Sequence, residues 1–253
     1  MAPVTTPAIV LSAIRYSETS KIVRLATRDH GVQSAIAKGA LRPRSRFGAS
    51  LQPLSEGVAH LVMHPLRELH LLTAFDVGRV PIGLAEDLER YAAAAVLAEV
   101  VLRFSPSDPH PESYDTLRRA LVSLATVERE DAEAEGLRAV WLLVASLGFA
   151  PELDECVRDG GIVQPEGDLP FNLREGGALC PQCAAQVGAT QLPERARRAL
   201  VAFLDPDAAP VRLDGRDVRA HRRLVARFVR FHLGEGAALP ALDFWERRSW
   251  AAR

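Results

Sequence analysis

Four residues stand in a spacing that suits a metal: Cys156-Val-Arg-Asp159, and after a further stretch Cys180-Pro-Gln-Cys183. Two thiolates separated by two residues grip one tetrahedral cation from a tight knuckle, and a structural zinc site takes two such knuckles. Asp159 stands where the second thiolate of the first knuckle belongs. A carboxylate also ligates zinc, so one structural Zn2+ held by Cys156, Asp159, Cys180 and Cys183 is expected; the alternative is a decayed knuckle held by packing alone. An odd cysteine count with two in a CxxC speaks for metal or redox chemistry in a reducing compartment, not for a disulfide framework.

A second chemistry is carried by cations. Lys38-Gly-Ala-Leu-Arg42-Pro-Arg44-Ser-Arg46-Phe47-Gly48 places four cations within nine residues, with no acid among them. Two glycines let backbone come close to a ligand, and Phe47 reads as an exposed aromatic, so phosphate contact by Lys38, Arg42, Arg44 and Arg46 with base stacking on Phe47 is expected. Near the other end, Arg216, Arg219, Arg223, Arg227 and Arg230 follow steps of three and four. At about 100° per residue they share one helix face, with Val218, Val225, Phe228 and Val229 opposite. A solvated face explains the apolar side but not why the polar side is so rich in Arg, which favours an acidic partner peptide or a second DNA surface. The charge is segregated along the chain: residues 1–80 carry 10 Lys/Arg against 5 Asp/Glu, residues 81–190 carry 8 against 19, and residues 191–253 carry 13 against 8. Basic ends in a chain of formal net charge −1 point to a polyanion.

Other patterns carry less. His60 and His64 share a strand face with His70 nearby, which reads as ordinary solvated histidine and not a metal site. Nothing matches GxxxxGK[ST], HExxH or GxSxG, so neither nucleotide hydrolysis nor those hydrolytic sites is supported. The first residues lack a positive segment ahead of an apolar run, and no stretch approaches 18 uncharged apolar residues, so a cytoplasmic, unprocessed protein with no membrane contact is expected.

The elements that must position these residues change character along the chain. Between residues 7 and 76, apolar and β-branched residues fall in five short runs, Ala8–Ile14, Lys21–Thr27, Val32–Ala37, Val58–Met63 and Leu69–Phe75, broken by turn residues. Five strands in about 70 residues fit a small barrel, an OB-fold or an SH3-like one. The basic loop then joins the third strand to the fourth. After Pro81 the period becomes helical: helices are expected over Leu84–Phe104, 112–127, 131–147, 193–204 and 214–233, with a Pro-rich break over 105–111. The acidic run Glu128–Glu135 reads as a solvated helix start. Residues 152–190 are rich in Gly, Pro and Cys and lack periodicity. The organisation expected is a DNA-binding domain over 1–80 and a helical domain over 81–253 that carries a Cys-rich insert at 152–190.

The order of several short motifs resembles the RecO family of recombination mediators. They are Ala8-Ile-Val-Leu11 with Tyr16-Ser-Glu18, Thr27-Arg-Asp-His-Gly31, Ala37-Lys-Gly-Ala40 with Arg42-Pro43 and Ser45-Arg46-Phe-Gly48, and Leu51-Gln-Pro53. Further on, Leu147-Gly-Phe-Ala-Pro-Glu-Leu-Asp154 leads into Cys156, and Gly176-Gly177 precedes Cys180-Pro-Gln-Cys183. The resemblance spans residues 8 to about 185. It implies an α+β chain: an N-terminal five-stranded OB-fold barrel, then an all-α domain with a small zinc-finger-like insert. It also implies a non-enzymatic protein of the nucleoid-bearing cytoplasm that binds single- and double-stranded DNA and anneals complementary strands. Such a protein engages the acidic C-terminal tail of the single-stranded-DNA-binding protein and works with RecR to load RecA. Carried over, Lys38, Arg42, Arg44 and Arg46 become DNA contacts, and Cys156, Cys180 and Cys183 metal ligands. Asp159 departs from the family's usual Cys-x-x-Cys. The rival readings are a nucleic-acid-modifying enzyme, or a transcription or translation factor with a zinc knuckle.

Overall fold

The computed structural model describes residues 2–105, 107–234 and 236–248 and divides into two compact units, residues 1–126 and 127–253. Five strands open the first unit: β1 (Ala2–Arg15), β2 (Lys21–Thr27), β3 (Gly31–Ala37), β4 (Glu56–Met63) and β5 (Leu69–Arg79). They pair in the order β1-β2-β3-β5-β4, and β4 returns to β1, so every strand has two neighbours and the barrel closes. All pairings are antiparallel except β3 with β5. This order is the OB-fold-like arrangement. Alternation explains it locally: along β3, Gly31, Gln33, Ala35 and Ala37 are buried while Val32, Ser34 and Ile36 are only partly so, and Ala35 and Ala37 face the barrel core.

Small inward residues leave space that larger ones fill. Ala8, Ala35, Ala37 and Ala59 line the interior beside Val10, Val23, Leu25, Leu61, Leu72 and Phe75. The loop between β3 and β4 supplies the remainder, since Ala40, Phe47 and Leu51 are buried in the same cluster. The strands run longer than the apolar pattern showed: β1 begins at Ala2 and β5 ends at Arg79, because a strand persists wherever a neighbour offers hydrogen bonds.

Helices α1 (Ile82–Ala85), α2 (Leu88–Phe104) and α3 (Pro111–Thr126) belong to the first unit, which therefore extends past residue 80. The single helix expected from Leu84 is interrupted. Asp87 caps α2 by accepting from the backbone N–H groups of Glu89 and Arg90, so the long helix starts at Leu88. Between α2 and α3 the chain comes against the barrel at Gly31 (φ +66°), where a Cβ would lie 2.4 Å from the Asp108 carbonyl oxygen. Only glycine permits that approach. Pro106, within the expected Pro-rich break, lies outside the described residues.

The second unit holds α4 (Ala132–Ser146), β6 (Leu169–Asn172), β7 (Gly177–Ala178), α5 (Pro181–Val187), β8 (Thr190–Leu192), α6 (Glu194–Leu204), α7 (Gly215–His232) and α8 (Pro240–Arg247). Trp141 of α4 is fully buried and meets Phe228 of α7 edge-on at 5.2 Å. Leu200 and Phe203 of α6 and Leu242 and Trp245 of α8 are buried as well. The acidic run is only partly a solvated helix start. Glu133 is 2.7 Å from Arg248 and 3.7 Å from Arg222, a guanidinium 1% exposed whose cation lies over the Trp245 ring. Within 152–190, read as aperiodic, β6 and β7 form a sheet with β8, which begins at the end of that stretch, in the order β7-β6-β8. Each is too short for alternation to register.

Candidate functional site

The basic loop is built from consecutive turns. Arg42 N–H donates to the Gly39 carbonyl at 3.1 Å, Ser45 to Arg42 at 3.0 Å, and Ser50 to Phe47 at 2.8 Å, while Leu41 N–H is held by the Thr19 carbonyl at 2.9 Å. Gly39 and Gly48 take positive φ, which the turns require. Lys38, Arg42, Arg44 and Arg46 are all exposed, and among the described residues none of the four is in an ion pair. Phe47 corrects the expectation of an exposed stacking ring. It is 2% exposed, inside the barrel, because a large apolar ring fills the space left by the inward alanines. A base cannot stack on it. Its ring instead lies beneath the Arg46 guanidinium, 5.3 Å from the ring centre.

Helix α7 presents its arginines as the spacing predicts. Asp214 caps it, accepting at 2.8 Å from the N–H groups of Arg216 and Asp217. Val218, Val225, Phe228 and Val229 are buried, and Arg216, Arg219, Arg223 and Arg227 are exposed. Arg230 differs, since its guanidinium is tied to Asp243 at 2.6 Å and Glu246 at 2.5 Å of α8. Arg227, Arg230 and Phe231 line a groove of about 630 Å³ with Phe171, Asn172 and Arg174. The last three were missed in the sequence, because only the return of β6 beside α7 brings them there. On the buried side of α7, His221 has no hydrogen-bond partner for either ring nitrogen among the described residues. Burial pulls its pKa down to about 4, against a smaller opposing pull from Asp217.

The four metal-type residues come together, their ligand atoms all within 4.8 Å of one another. The first knuckle closes through Cys156 N–H to the Gly161 carbonyl at 2.7 Å and Gly160 N–H to the Cys156 carbonyl at 2.8 Å. Cys180 caps α5, with Pro181 in the first turn and its Sγ accepting from Cys183 N–H at 3.4 Å. Gly177 lets the segments converge, since a Cβ there would lie 2.5 Å from the Glu152 carbonyl oxygen. Asp159 Oδ1 accepts from Gly161 N–H at 3.0 Å, which turns Oδ2 toward the thiols of Cys180 at 3.2 Å and Cys183 at 3.3 Å. A tetrahedral ion bound at about 2.3 Å to sulfur and about 2.1 Å to oxygen needs ligand separations of roughly 3.5–3.8 Å. The set therefore fits one metal ion with little movement. The Gly161 N–H and the three thiols hold the Asp159 carboxyl well below the usual range, and donation to that carboxylate, first among causes, pushes the Cys183 thiol up to about 12.

The histidines behave as ordinary side chains in part. His60 bridges Thr5 (3.2 Å) and Asp76 (2.7 Å) across neighbouring strands. His70 is buried, accepting from His64 N–H at 3.2 Å through Nδ1 and meeting Gln33 at 2.8 Å through Nε2, so both ring nitrogens are used. Among the described residues no helix is long and apolar enough to cross a membrane.

Comparison with known proteins agrees along the chain. Residues 1–79 match the family model described as Recombination protein O N terminal, and residues 85–239 match that described as Recombination protein O C terminal. The chain is 35% identical over 237 residues to the DNA repair protein RecO of Anaeromyxobacter sp. (strain Fw109-5), covering 91% of each. It is 38% identical over 185 residues to the DNA repair protein RecO of Rubrobacter xylanophilus, covering 73% of each. With the DNA repair protein RecO of Frankia casuarinae it shares 34% identity over 251 residues, 94% of this chain and 96% of that one.

Proposed function

The chain belongs to the RecO family of DNA repair proteins, and on that premise we propose that it is a DNA-binding recombination mediator and not an enzyme. It anneals complementary strands and, with RecR, helps load RecA onto single strands coated by the single-stranded-DNA-binding protein. It acts in the cytoplasm beside the nucleoid. The observation that carries this reading is the array of Lys38, Arg42, Arg44 and Arg46, exposed and without ion pairs among the described residues, on a loop anchored in a small barrel. Cations left free of acids in a folded domain meet phosphates at the expense of condensed counterions. Single-stranded and duplex DNA both present such phosphates.

The α7 stripe supports a second contact, with the acidic C-terminal tail of the single-stranded-DNA-binding protein. Arg216, Arg219, Arg223 and Arg227 offer charge, and the groove ending at Phe231 offers apolar surface. Zn2+ is the ion proposed for the knuckles, because three thiolates with one carboxylate suit a borderline divalent ion in a closed structural site. Bound there, it would clasp the loop after α4 to the start of α5.

The test is a titration of a labelled single-stranded oligonucleotide at several salt concentrations, with the natural chain and with Arg42→Ala/Arg44→Ala/Arg46→Ala. A weaker, less salt-dependent variant supports the reading. Unchanged affinity and slope would remove the loop from the DNA path. Tail-peptide affinity unaffected by Arg223→Glu/Arg227→Glu would exclude the stripe from that contact. For the metal, one zinc per chain is expected, lost in Cys180→Ser and held more tightly in Asp159→Cys.

A further inference from the structure

The metal knuckles and the groove beside α7 share one short helix. Cys180 is the N-cap of α5 and Cys183 lies in its first turn, while its far end, Val187 and Gly188, lines the groove with Arg227 and Phe231. Cys183 and Val187 are four residues apart, so they lie on one face of α5, about 6 Å apart along its axis. Little else holds this helix. Cys183 is the one buried residue among its seven, and Pro181, Gln182, Ala185 and Gln186 are exposed. A helix so short does not persist on its own hydrogen bonds. Past its end, the Gly188 carbonyl accepts from Asn172 Nδ2 at 2.7 Å, and Asn172 is itself in the groove wall.

The first knuckle stands on firmer ground. Cys156 is 2% exposed, and the segments on either side of it are pinned to α6 by the buried Arg197, which donates to the carbonyls of Leu153 at 2.8 Å and of Gln164. A metal ion held by both knuckles would therefore fasten a loosely packed helix to a fixed frame. Metal binding of this kind supplies the free energy that organises the segments it joins. Asp159 makes the hold adjustable, because three thiolates and a carboxylate grip a zinc-type ion less tightly than four thiolates. The groove in turn calls for an acidic occupant. Arg174 and Arg227 are exposed, Arg230 is neutralised by Asp243 and Glu246, and no acid is among the lining residues.

We propose that the knuckles gate the groove. With a zinc-type ion on Cys156, Asp159, Cys180 and Cys183, α5 is locked where Val187 and Gly188 complete the wall, and an acidic peptide in the groove tightens the hold on the metal in return. Such coupling is reciprocal by thermodynamic necessity. This inference rests on the acidic-peptide reading of the groove and the metal reading of the knuckles.

The full-length chain is loaded with Zn2+, or stripped with EDTA and exchanged into metal-free buffer, and titrated into a fluorescein-labelled acidic peptide while anisotropy is followed. The zinc-free chain is expected to bind about tenfold more weakly. In the reverse direction, drawing Zn2+ from the chain with a chromogenic chelator is expected to need about tenfold more chelator when peptide saturates the groove. Ala185→Gly/Gln186→Gly softens α5 between metal ligand and groove at two exposed positions. With Zn2+ still bound, this variant is expected to bind the peptide about as weakly as the zinc-free natural chain. It is read with the metal in place, so it decides the matter even where removing zinc unfolds the whole unit. Asp159→Cys is expected to keep its peptide affinity at chelator concentrations that weaken the natural chain. The proposal is overturned if loaded and stripped chains bind the peptide equally, or if the softened variant keeps the natural affinity, while Arg223→Glu/Arg227→Glu weakens binding. If that α7 variant also leaves the affinity unchanged, the peptide reading of the groove fails, and a chain that takes up no zinc fails the metal reading; this inference goes with either.

Discussion

On the barrel loop, Lys38, Arg42, Arg44 and Arg46 are set by what lies between and after them: Ala40, Phe47 and Leu51 are buried in the barrel and hold the turns in place. Along α7, Arg216, Arg219, Arg223 and Arg227 are set by the helical repeat, and their side of the helix would keep its spacing whatever packs beneath. The loop owes its charge geometry to tertiary burial and the helix owes its geometry to local hydrogen bonds. The first array should therefore be fragile to core substitutions, and the second to nothing short of unfolding the helix.

The largest expected effect separates them directly. Phe47→Ala empties a buried site and is expected to cost about 3–5 kcal/mol, lowering the melting temperature of the barrel unit by roughly 10 °C or more. DNA affinity should fall with it although no cation is removed; preserved affinity in a chain that melts early would break the comparison. Next comes Arg42→Ala/Arg44→Ala/Arg46→Ala, expected to weaken single-strand binding by roughly a hundredfold and to flatten the salt slope by about two. The matched helix variant, Arg219→Ala/Arg223→Ala/Arg227→Ala, should change DNA affinity less than tenfold yet remove most affinity for an acidic peptide. Reversed outcomes would exchange the two roles.

A pH dependence belongs to the helix region. His221 has its folded pKa lowered to about 4 from an ordinary 6.5, so the unfolded chain takes up the proton first. Stability is full above about pH 6.5 and is lost as pH falls toward 4, by up to roughly 3 kcal/mol. Thermal melts across that range should slope for the natural chain and flatten for His221→Leu. The smallest effect is expected from Arg230→Gln, which breaks two half-exposed ion pairs to α8 and should cost no more than about 1 kcal/mol. A larger loss would mean that the stripe is also held by tertiary contacts.

Legibility in the sequence follows the same division. Strand and helix interiors were readable because period two and period 3.6 are local, and the face of α7 was readable for that reason. The partners of Arg230 were not, because Asp243 and Glu246 lie on a helix that follows a turn-rich stretch, and α8 itself is too short to announce its period. Phe47 was misread because a lone aromatic among arginines carries no periodic context, and its burial depends on alanines 10 and more residues away. The knuckles were legible as spacing, with Asp159 in its place.

The anchoring of the basic loop by Ala40, Phe47 and Leu51 also bears on rate. Cations presented on a preformed frame need no ordering when a strand arrives, so little conformational entropy is surrendered in the encounter. Capture of DNA should then run near the electrostatically steered limit, steeply slowed by salt and weakly sensitive to temperature, with release left as the step that partners can govern.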